Sequence, residues 1–287
     1  MYFVFIVMPL LSVIKVTMQG KYSQKHIKTF SDVLLYNTIV FLFSALILAA
    51  IFLRQLPPLE VWIYALISAT GAFLYQTFYT LALKNGPITP TAIINSFNII
   101  FTLLAGLIYF NEQWTIFTIV GFAFMSVAFC LIPAKNNDKK ANLKWLILTA
   151  ITFVCFGLSS VVMLLFSRSE FSKWQSAYTV LIFSIASVFS FIFTLFNVKV
   201  RKEPITIKRN WNLPLVALII GGALGLYNLV NVIAYQHFPS YLVTPIISGS
   251  IIALTMIVNS IINREKPTIK MLIGVACAVV AIVLLNL

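Results

Sequence analysis

The sequence predicts an all-α integral membrane protein with ten transmembrane helices in two inverted five-helix repeats. Of its 287 residues, 61% are hydrophobic and only 9% are charged, and the mean hydropathy is +1.00. Soluble globular domains carry about 25% charged residues, so this composition excludes a soluble chain. A helix needs roughly 20 apolar residues to cross the hydrocarbon core of a bilayer. The chain contains ten apolar runs of about that length.

Charged residues, Pro or Gly bound each apolar run and so set the predicted helix ends. Lipid offers no hydrogen bonds, so each run must satisfy its own backbone groups, and a helix does so. The predicted helices are 2–18, 31–53, 59–83, 88–110 and 114–133, followed by 144–166, 173–197, 212–236, 241–262 and 268–286.

Two stretches near the ends of the two halves resemble each other. They are NEQWTIFTIVGFAFMSVAFCLI at 111–132 and REKPTIKMLIGVACAVVAIVLL at 264–285. When Glu112 is aligned with Glu265, Gly121 meets Gly274. An internal repeat indicates an architecture built from copies of one unit. We therefore expect two related halves.

The repeat also predicts the domain organisation. Residues 1–133 form the first five-helix repeat, 134–143 the connecting loop, and 144–287 the second repeat. Because five is an odd number, the second repeat must enter the membrane in the opposite orientation. Inverted repeats are the plan of many secondary transporters, with the binding site between the halves near mid-membrane.

The basic residues are distributed as in a membrane protein. The net charge is +13, yet nearly all Lys and Arg lie in short loops on one side of the predicted helices. Positive loops face the cytoplasm, so the charge indicates topology and does not indicate a nucleic-acid partner. The rule places both termini outside. We expect a multi-pass protein of the cell membrane, with membrane lipid as its surroundings.

The helix order and two motifs resemble the drug/metabolite transporter superfamily, EamA type. The motifs are FNEQ…G, ending at Gly121, and NREKP…G, ending at Gly274. The resemblance implies a transporter for amino acids, nucleosides, sugar derivatives, choline-like compounds or drugs. The first helix departs from it, with MPLLSVIKVTM where such proteins usually have Trp-Gly. Members also usually keep both termini cytoplasmic, so the orientation stays open.

The acidic residues all fall at predicted helix ends or in loops. A carboxylate at mid-membrane would be costly and functional, and none is predicted there. A carboxylate proton relay is therefore disfavoured, and facilitated diffusion or exchange is favoured. Glu112 and Glu265 are predicted to cap helices. Gly121 and Gly274 are predicted to allow close helix packing.

Polar side chains within the helices are the candidate substrate-binding residues. The candidates are Lys15, Tyr75, Gln76, Tyr79, Asn95, Asn98, Tyr227, Asn228, Asn231, Tyr235 and Ser248. Tyrosines and amides would suit a polar solute, and the rings offer cation–π contacts. The alternative is that they join helices by hydrogen bonds. Lys15 could anchor an anionic group, or it could snorkel to the interface from a position near its helix end.

These observations predict a secondary transporter that moves a small polar metabolite by alternating access. Its substrate would be amino acid-like, nucleoside-like or another small organic solute. The alternative is a membrane-embedded enzyme or a lipid-headgroup flippase. The sequence has no Gly-rich phosphate loop and no clustered acid–base or metal ligands. We therefore expect no enzyme, no cofactor and no metal site, and the oligomeric state is open.

Overall fold

A computed structural model describes residues 3–52, 55–96, 98–110, 115–131, 142–207, 212–263 and 269–284. Within these ranges the chain forms helices and no β-strand. The helices of the first half are α1 (Val4–His26), α2 (Phe30–Phe52), α3 (Leu59–Asn85), α4 (Ile88–Ser96), α5 (Ile99–Phe110) and α6 (Ile116–Leu131). Those of the second half are α7 (Leu143–Ser167), α8 (Gln175–Lys199), α9 (Asn212–His237), α10 (Ser240–Asn263) and α11 (Ile269–Leu284). A short 3₁₀ helix, Glu170–Trp174, precedes α8.

Six helices in the described part are long and apolar enough to cross a membrane: α1, α2, α3, α7, α8 with its 3₁₀ turn, and α9. Shorter apolar helices cover Ile100–Phe110, Ile119–Ala128 and Ser240–Thr255. Large apolar side chains such as Ile63 and Ile67 of α3 are more than half exposed at 56% and 54%. Such a surface suits lipid and would be a liability in water. The all-helical, membrane-spanning class is confirmed, while the count of ten spans stays a prediction.

The first helix is longer than the sequence predicts. We expected it to end at residue 18, but α1 continues to His26. The polar residues beyond 18 gave the signal for a loop, yet Gln19 and Ser23 are buried, while Lys21 and Lys25 are exposed. The Gln19 amide donates a hydrogen bond of 2.9 Å to Thr80. A partner of this kind lets a polar residue continue a helix inside the protein.

The predicted helix 88–110 is described as two helices, α4 and α5. Between them the backbone N–H of Asn98 donates to the carbonyl of Asn95 at 3.2 Å, and that of Phe101 donates to the carbonyl of Asn98 at 3.0 Å. The Asn98 side chain donates to the hydroxyl of Ser160 in α7 at 2.9 Å. The irregular turn therefore lies where the chain meets the neighbouring helix.

The start of α2 is held by two carboxylates. Thr29 and Asp32 form a capping box, in which each side chain accepts the backbone N–H of the other at 2.9–3.0 Å. The carboxylate of Glu203 accepts the N–H groups of Phe30 and Ser31 at 2.9 and 3.2 Å. Asp32 also accepts two N–H groups from the chain after Glu203. These bonds fix the α8–α9 connection to the first half.

The helices α2, α8 and α9 pack into a core in which α9 approaches α2 closely. The Ser44 hydroxyl of α2 donates to the carbonyl of Gly221 at 2.7 Å. A methyl group on Gly221 would lie 2.6 Å from the carbonyl oxygen of Val40. Only a residue without a side chain fits this contact. Gly225, one turn further, faces Leu48 of α2.

The helices α6 and α11 pack against each other. Gly121 of α6 and Gly274 of α11 are both buried, and their predicted packing role stays a prediction. Glu112 and Glu265 lie outside the described residues. The remaining helices α1, α3, α4, α7, α9 and α10 surround the centre of the molecule, where the candidate site lies.

Candidate functional site

A polar cavity lies at the centre of the helix bundle. The volume that the centre of a water molecule can occupy inside it is about 80 Å³. One bound water needs roughly 10–15 Å³ of such space, so the cavity has room for several waters or one small organic solute. The wall is formed by residues of α1, α3, α4, α7, α9 and α10. Phe41 of α2 and Phe183 of α8 also contribute.

The cavity brings together most of the predicted candidates. It is lined by Lys15, Tyr75, Gln76, Tyr79, Asn95, Asn98, Tyr227, Asn228, Asn231 and Ser248. Tyr235 instead lines a smaller adjoining cavity, which shares Asn98, Asn231 and Ser248 with the first. Residues from both halves of the chain therefore meet around one hollow.

Lys15 lies within the cavity wall. α1 continues well beyond it, and its side chain is only 7% exposed. Its ammonium donates to the hydroxyl of Tyr75 at 3.3 Å. It also lies 5.0 Å from the ring centre of Tyr75 and 5.4 Å from that of Tyr79. The structure thus gives the Lys15 ammonium partners within the protein.

Aromatic rings hold this part of the wall in place. The Tyr75 ring stacks on Tyr79 with centroids 5.4 Å apart and on Phe156 of α7 with centroids 4.4 Å apart. Stacked rings of this kind are worth about 0.5–1.5 kcal/mol beyond their burial. The Tyr75 hydroxyl is thus fixed where it can accept a hydrogen bond from Lys15.

Gln76 belongs to the cavity wall and carries a buried amide. Its side chain is 1% exposed, and neither its nitrogen nor its oxygen has a hydrogen-bond partner in the described part of the chain. The Asn95 oxygen has no partner there either. Buried polar groups are normally hydrogen-bonded, and an unpaired one costs about 1–3 kcal/mol. These amide atoms are therefore hydrogen-bonding groups of the cavity wall that no other described residue satisfies.

Other predicted residues are partly engaged in the protein itself. Asn98 donates to Ser160, and Asn231 donates to the sulfur of Met163 at 3.3 Å. The alternative that these amides join helices therefore holds for Asn98 and Asn231. Asn228 instead donates to the carbonyl of Leu224 in its own helix at 2.9 Å.

Lys15 is the only charged side chain among the described residues that line the cavity, and none of them is Asp or Glu. The described carboxylates lie elsewhere, as Asp32 and Glu203 at the start of α2 illustrate. The only charge that the described side chains of the wall can carry near neutral pH is therefore positive. Its remaining polar atoms are the hydroxyls and amides of neutral side chains.

Several lining residues were not predicted from the sequence. They are Ser12, Phe41, Ser68, Phe156, Ser159, Ser160, Met163, Ile182, Phe183 and Ile251, with four small or apolar neighbours, Val16, Ala72, Ala92 and Leu224. Serine and phenylalanine are ordinary in membrane helices, so composition does not mark them. Ser12 alone had a usable signal, because it precedes Lys15 by three residues on the same helical face.

The fold and the cavity together define a multi-pass helical membrane protein with a solute-sized polar site. Residues 4–133 match the EamA-like transporter family, which is part of the drug/metabolite transporter superfamily. The predicted resemblance is confirmed. Members of that family are transporters.

Comparison with curated proteins finds no match to the chain. Among solved structures, one described only as a crystal structure of protein is similar, with a TM-score of 0.68 and 15% sequence identity. The similarity covers 98% of each chain. At this identity it concerns the fold alone, and it extends that fold over both halves of the chain.

Proposed function

We propose that the protein is a secondary transporter that moves a small polar metabolite by alternating access. The observation that carries this proposal is the polar cavity enclosed by helices of both halves. A site between two halves can be exposed to either side in turn when the halves change their relative position. The solute would bind among Gln76, Asn95 and Asn231, three buried amides in the wall of this cavity.

The helix packing supports two related repeats. If α1, α2 and α3 correspond to α7, α8 and α9, each contact has a counterpart with the halves exchanged. α3 packs on α7 as α9 packs on α1, and α3 packs on α8 as α9 packs on α2. The pairs α2–α8 and α6–α11 each join two corresponding helices. A pseudo-two-fold axis in the membrane plane would produce this pattern.

The family match supports the same division of the chain. It covers residues 4–133, and the first predicted repeat ends at 133. The second repeat would then begin after the connecting loop, with α7. α4 and α5 together would correspond to α10, which gives five spans in each half.

Asn231 provides the test of the proposed site. It is 8% exposed and lines both cavities, and its only hydrogen bond among the described contacts is the weak one to Met163. Asn231→Leu replaces the amide with an apolar side chain of similar size. Loss of one hydrogen bond to a bound solute, about 1.4 kcal/mol, should reduce affinity about tenfold.

The experiment measures uptake into proteoliposomes for amino acids, nucleosides, organic anions and quaternary amines. Asn85→Leu is the matched control, because Asn85 donates to Leu81 in its own helix and lies at the end of α3. We expect Asn231→Leu to reduce uptake of the transported class and Asn85→Leu to leave it unchanged. Equal uptake by both variants would remove the cavity from the transport path. Movement of labelled lipid instead of solute would favour the flippase alternative.

A further inference from the structure

We infer that the transported solute carries a net negative charge on a carboxylate or comparable organic anion, and that Lys15 holds this group. The inference rests on the proposed function, because it assigns a substrate class to the same cavity. Three features of the cavity carry it: a buried lysine without a counter-ion in the described wall, aromatic faces that its ammonium already occupies, and an unpaired amide nitrogen on Gln76.

The first feature is the charge of Lys15. Its side chain is 7% exposed, and no Asp or Glu is among the described residues that line the cavity. A buried charge without a counter-ion is strongly unfavourable. The Tyr75 hydroxyl at 3.3 Å is a single neutral acceptor for a group with three N–H donors. An anion bound in the cavity would supply the missing charge and the missing acceptors.

The second feature is the position of the tyrosine rings. An aromatic pair in a membrane cavity would suit a quaternary ammonium solute by cation–π attraction. Here the ammonium of Lys15 already lies 5.0 and 5.4 Å from the ring centres of Tyr75 and Tyr79. A cationic solute would have to approach these rings against a like charge. The cavity therefore selects against cations.

The third feature is the amide of Gln76, whose nitrogen is an unused hydrogen-bond donor in the cavity wall. Gln76 follows Tyr75 in α3, and its nitrogen has no acceptor in the described part of the chain. An amide N–H can donate to a carboxylate oxygen, and hydrogen bonds to a charged partner are the stronger kind. The described lining offers no carboxylate for an ammonium group. A simple organic anion is therefore favoured over a zwitterion.

The test uses three solutes of nearly the same size: propionate, its uncharged amide propionamide, and the zwitterion alanine. Benzoate and benzamide form a second pair with an aromatic body. The purified full-length protein is melted with each compound at millimolar concentration, since a ligand that binds only the folded state raises Tm. We expect propionate or benzoate to raise Tm. The amides and alanine should give no shift or a clearly smaller one.

Variants at Lys15 connect the shift to this residue. Lys15→Gln should abolish the carboxylate shift, and Lys15→Arg should retain part of it, because Arg keeps the charge. Lys173→Gln is the matched control, since Lys173 is exposed in the 3₁₀ helix outside the cavity. An unchanged shift in Lys15→Gln would overturn the inference. So would equal shifts with propionate and propionamide, equal shifts with propionate and alanine, or no carboxylate shift in the wild type.

A second measurement separates anion binding from a structural role without any ligand. Lys15→Met keeps the length of the side chain and removes the buried charge. If Lys15 is kept for an anion, the ligand-free variant should melt at a higher temperature than the wild type, because the unmatched charge no longer has to be buried. A lower Tm would mean that Lys15 stabilises the fold, and would count against the inference.

The failure of this inference differs from the failure of the proposed transport function. If Asn231→Leu reduces uptake of a neutral or cationic solute while Lys15 variants do not, the anion assignment is wrong and transport through the cavity stands. If propionate binds through Lys15 but no organic anion enters proteoliposomes, the anion site stands and transport fails.

Discussion

Among the residues of the cavity wall, Gln76 is the one whose substitution best distinguishes a role in binding from a role in stability. Its side chain is 1% exposed with no partner for either polar atom among the described residues. A buried amide without partners destabilises the folded state, so replacement by an apolar residue of similar size is neutral or stabilising. A residue retained in such a position is kept for something that binds it.

We predict that Gln76→Leu lowers uptake of the transported solute about tenfold, the effect of one lost hydrogen bond, without lowering Tm. The measurement pairs proteoliposome uptake with thermal melting of the same preparation. A fall in Tm with normal uptake of the remaining folded protein would show that Gln76 is structural.

Thr80, one turn further along α3, is the contrasting control. It accepts from Gln19 at 2.9 Å and donates to Asn37 at 3.1 Å, and it does not line the cavity. Thr80→Val leaves both partners unpaired, which should cost about 1–3 kcal/mol of stability. Uptake per folded molecule should be unchanged. The two variants therefore have opposite expected effects on Tm and uptake.

At the residue scale, the sequence predicted the unusual side chains and missed the ordinary ones. Polar side chains such as tyrosines, amides and Lys15 stand out in apolar helices. Lipid offers them no hydrogen bond, so each needs a partner within the protein or in a polar cavity. Ser159 and Phe156 carry no such signal. The Lys15–Tyr75 contact was also beyond the sequence, because it joins residues from different helices whose rotation about their axes is set by packing.

At the element scale, the close contact between α2 and α9 depends on Gly221. A methyl group there would lie 2.6 Å from the carbonyl oxygen of Val40, a backbone atom that cannot move alone. We predict that Gly221→Ala destabilises the protein by about 1–3 kcal/mol, the usual cost of overpacking, and lowers Tm. Thermal melting of the purified variant measures this effect.

The neighbouring Gly222 is the matched control. A methyl group there would meet only the terminal carbon of Ile47, at 3.3 Å, and that side chain can turn aside. Because Ala has a higher helix propensity than Gly by about 0.8–1.0 kcal/mol, Gly222→Ala should be neutral or stabilising. If both variants melt at the same temperature, the contact with α2 is looser than the structure indicates.

The helices themselves were largely predictable, because lipid imposes their length and their hydrophobicity. Their ends were less so. α1 runs past its apolar stretch because Gln19 finds Thr80, and the α4–α5 turn lies where Asn98 finds Ser160. The sequence predicted a loop position for Glu203. Only the structure showed that its carboxylate accepts hydrogen bonds from the start of α2. These helix ends therefore depend on hydrogen bonds to residues that are distant in the sequence.

At the scale of the whole molecule, the two halves meet across the cavity, and α3 of the first half packs on α7 of the second. The internal repeat predicted two halves. It did not predict how they are packed, because the pairing of helices follows from surface shape. Alternating access requires these halves to move relative to each other, so a covalent link between α3 and α7 tests the mechanism directly.

Gly71 of α3 and Ser159 of α7 offer the site for this link. A Cβ atom on Gly71 would lie 3.3 Å from the Cβ of Ser159, close to the roughly 3.5–4.5 Å that a disulfide spans. We predict that Gly71→Cys with Ser159→Cys, with the native cysteines replaced by alanine, loses uptake when oxidised, falling to the level of protein-free liposomes. Reduction should restore it. Ser159→Cys alone should be indifferent to oxidation, and full uptake by the cross-linked protein would show that transport needs no movement between α3 and α7.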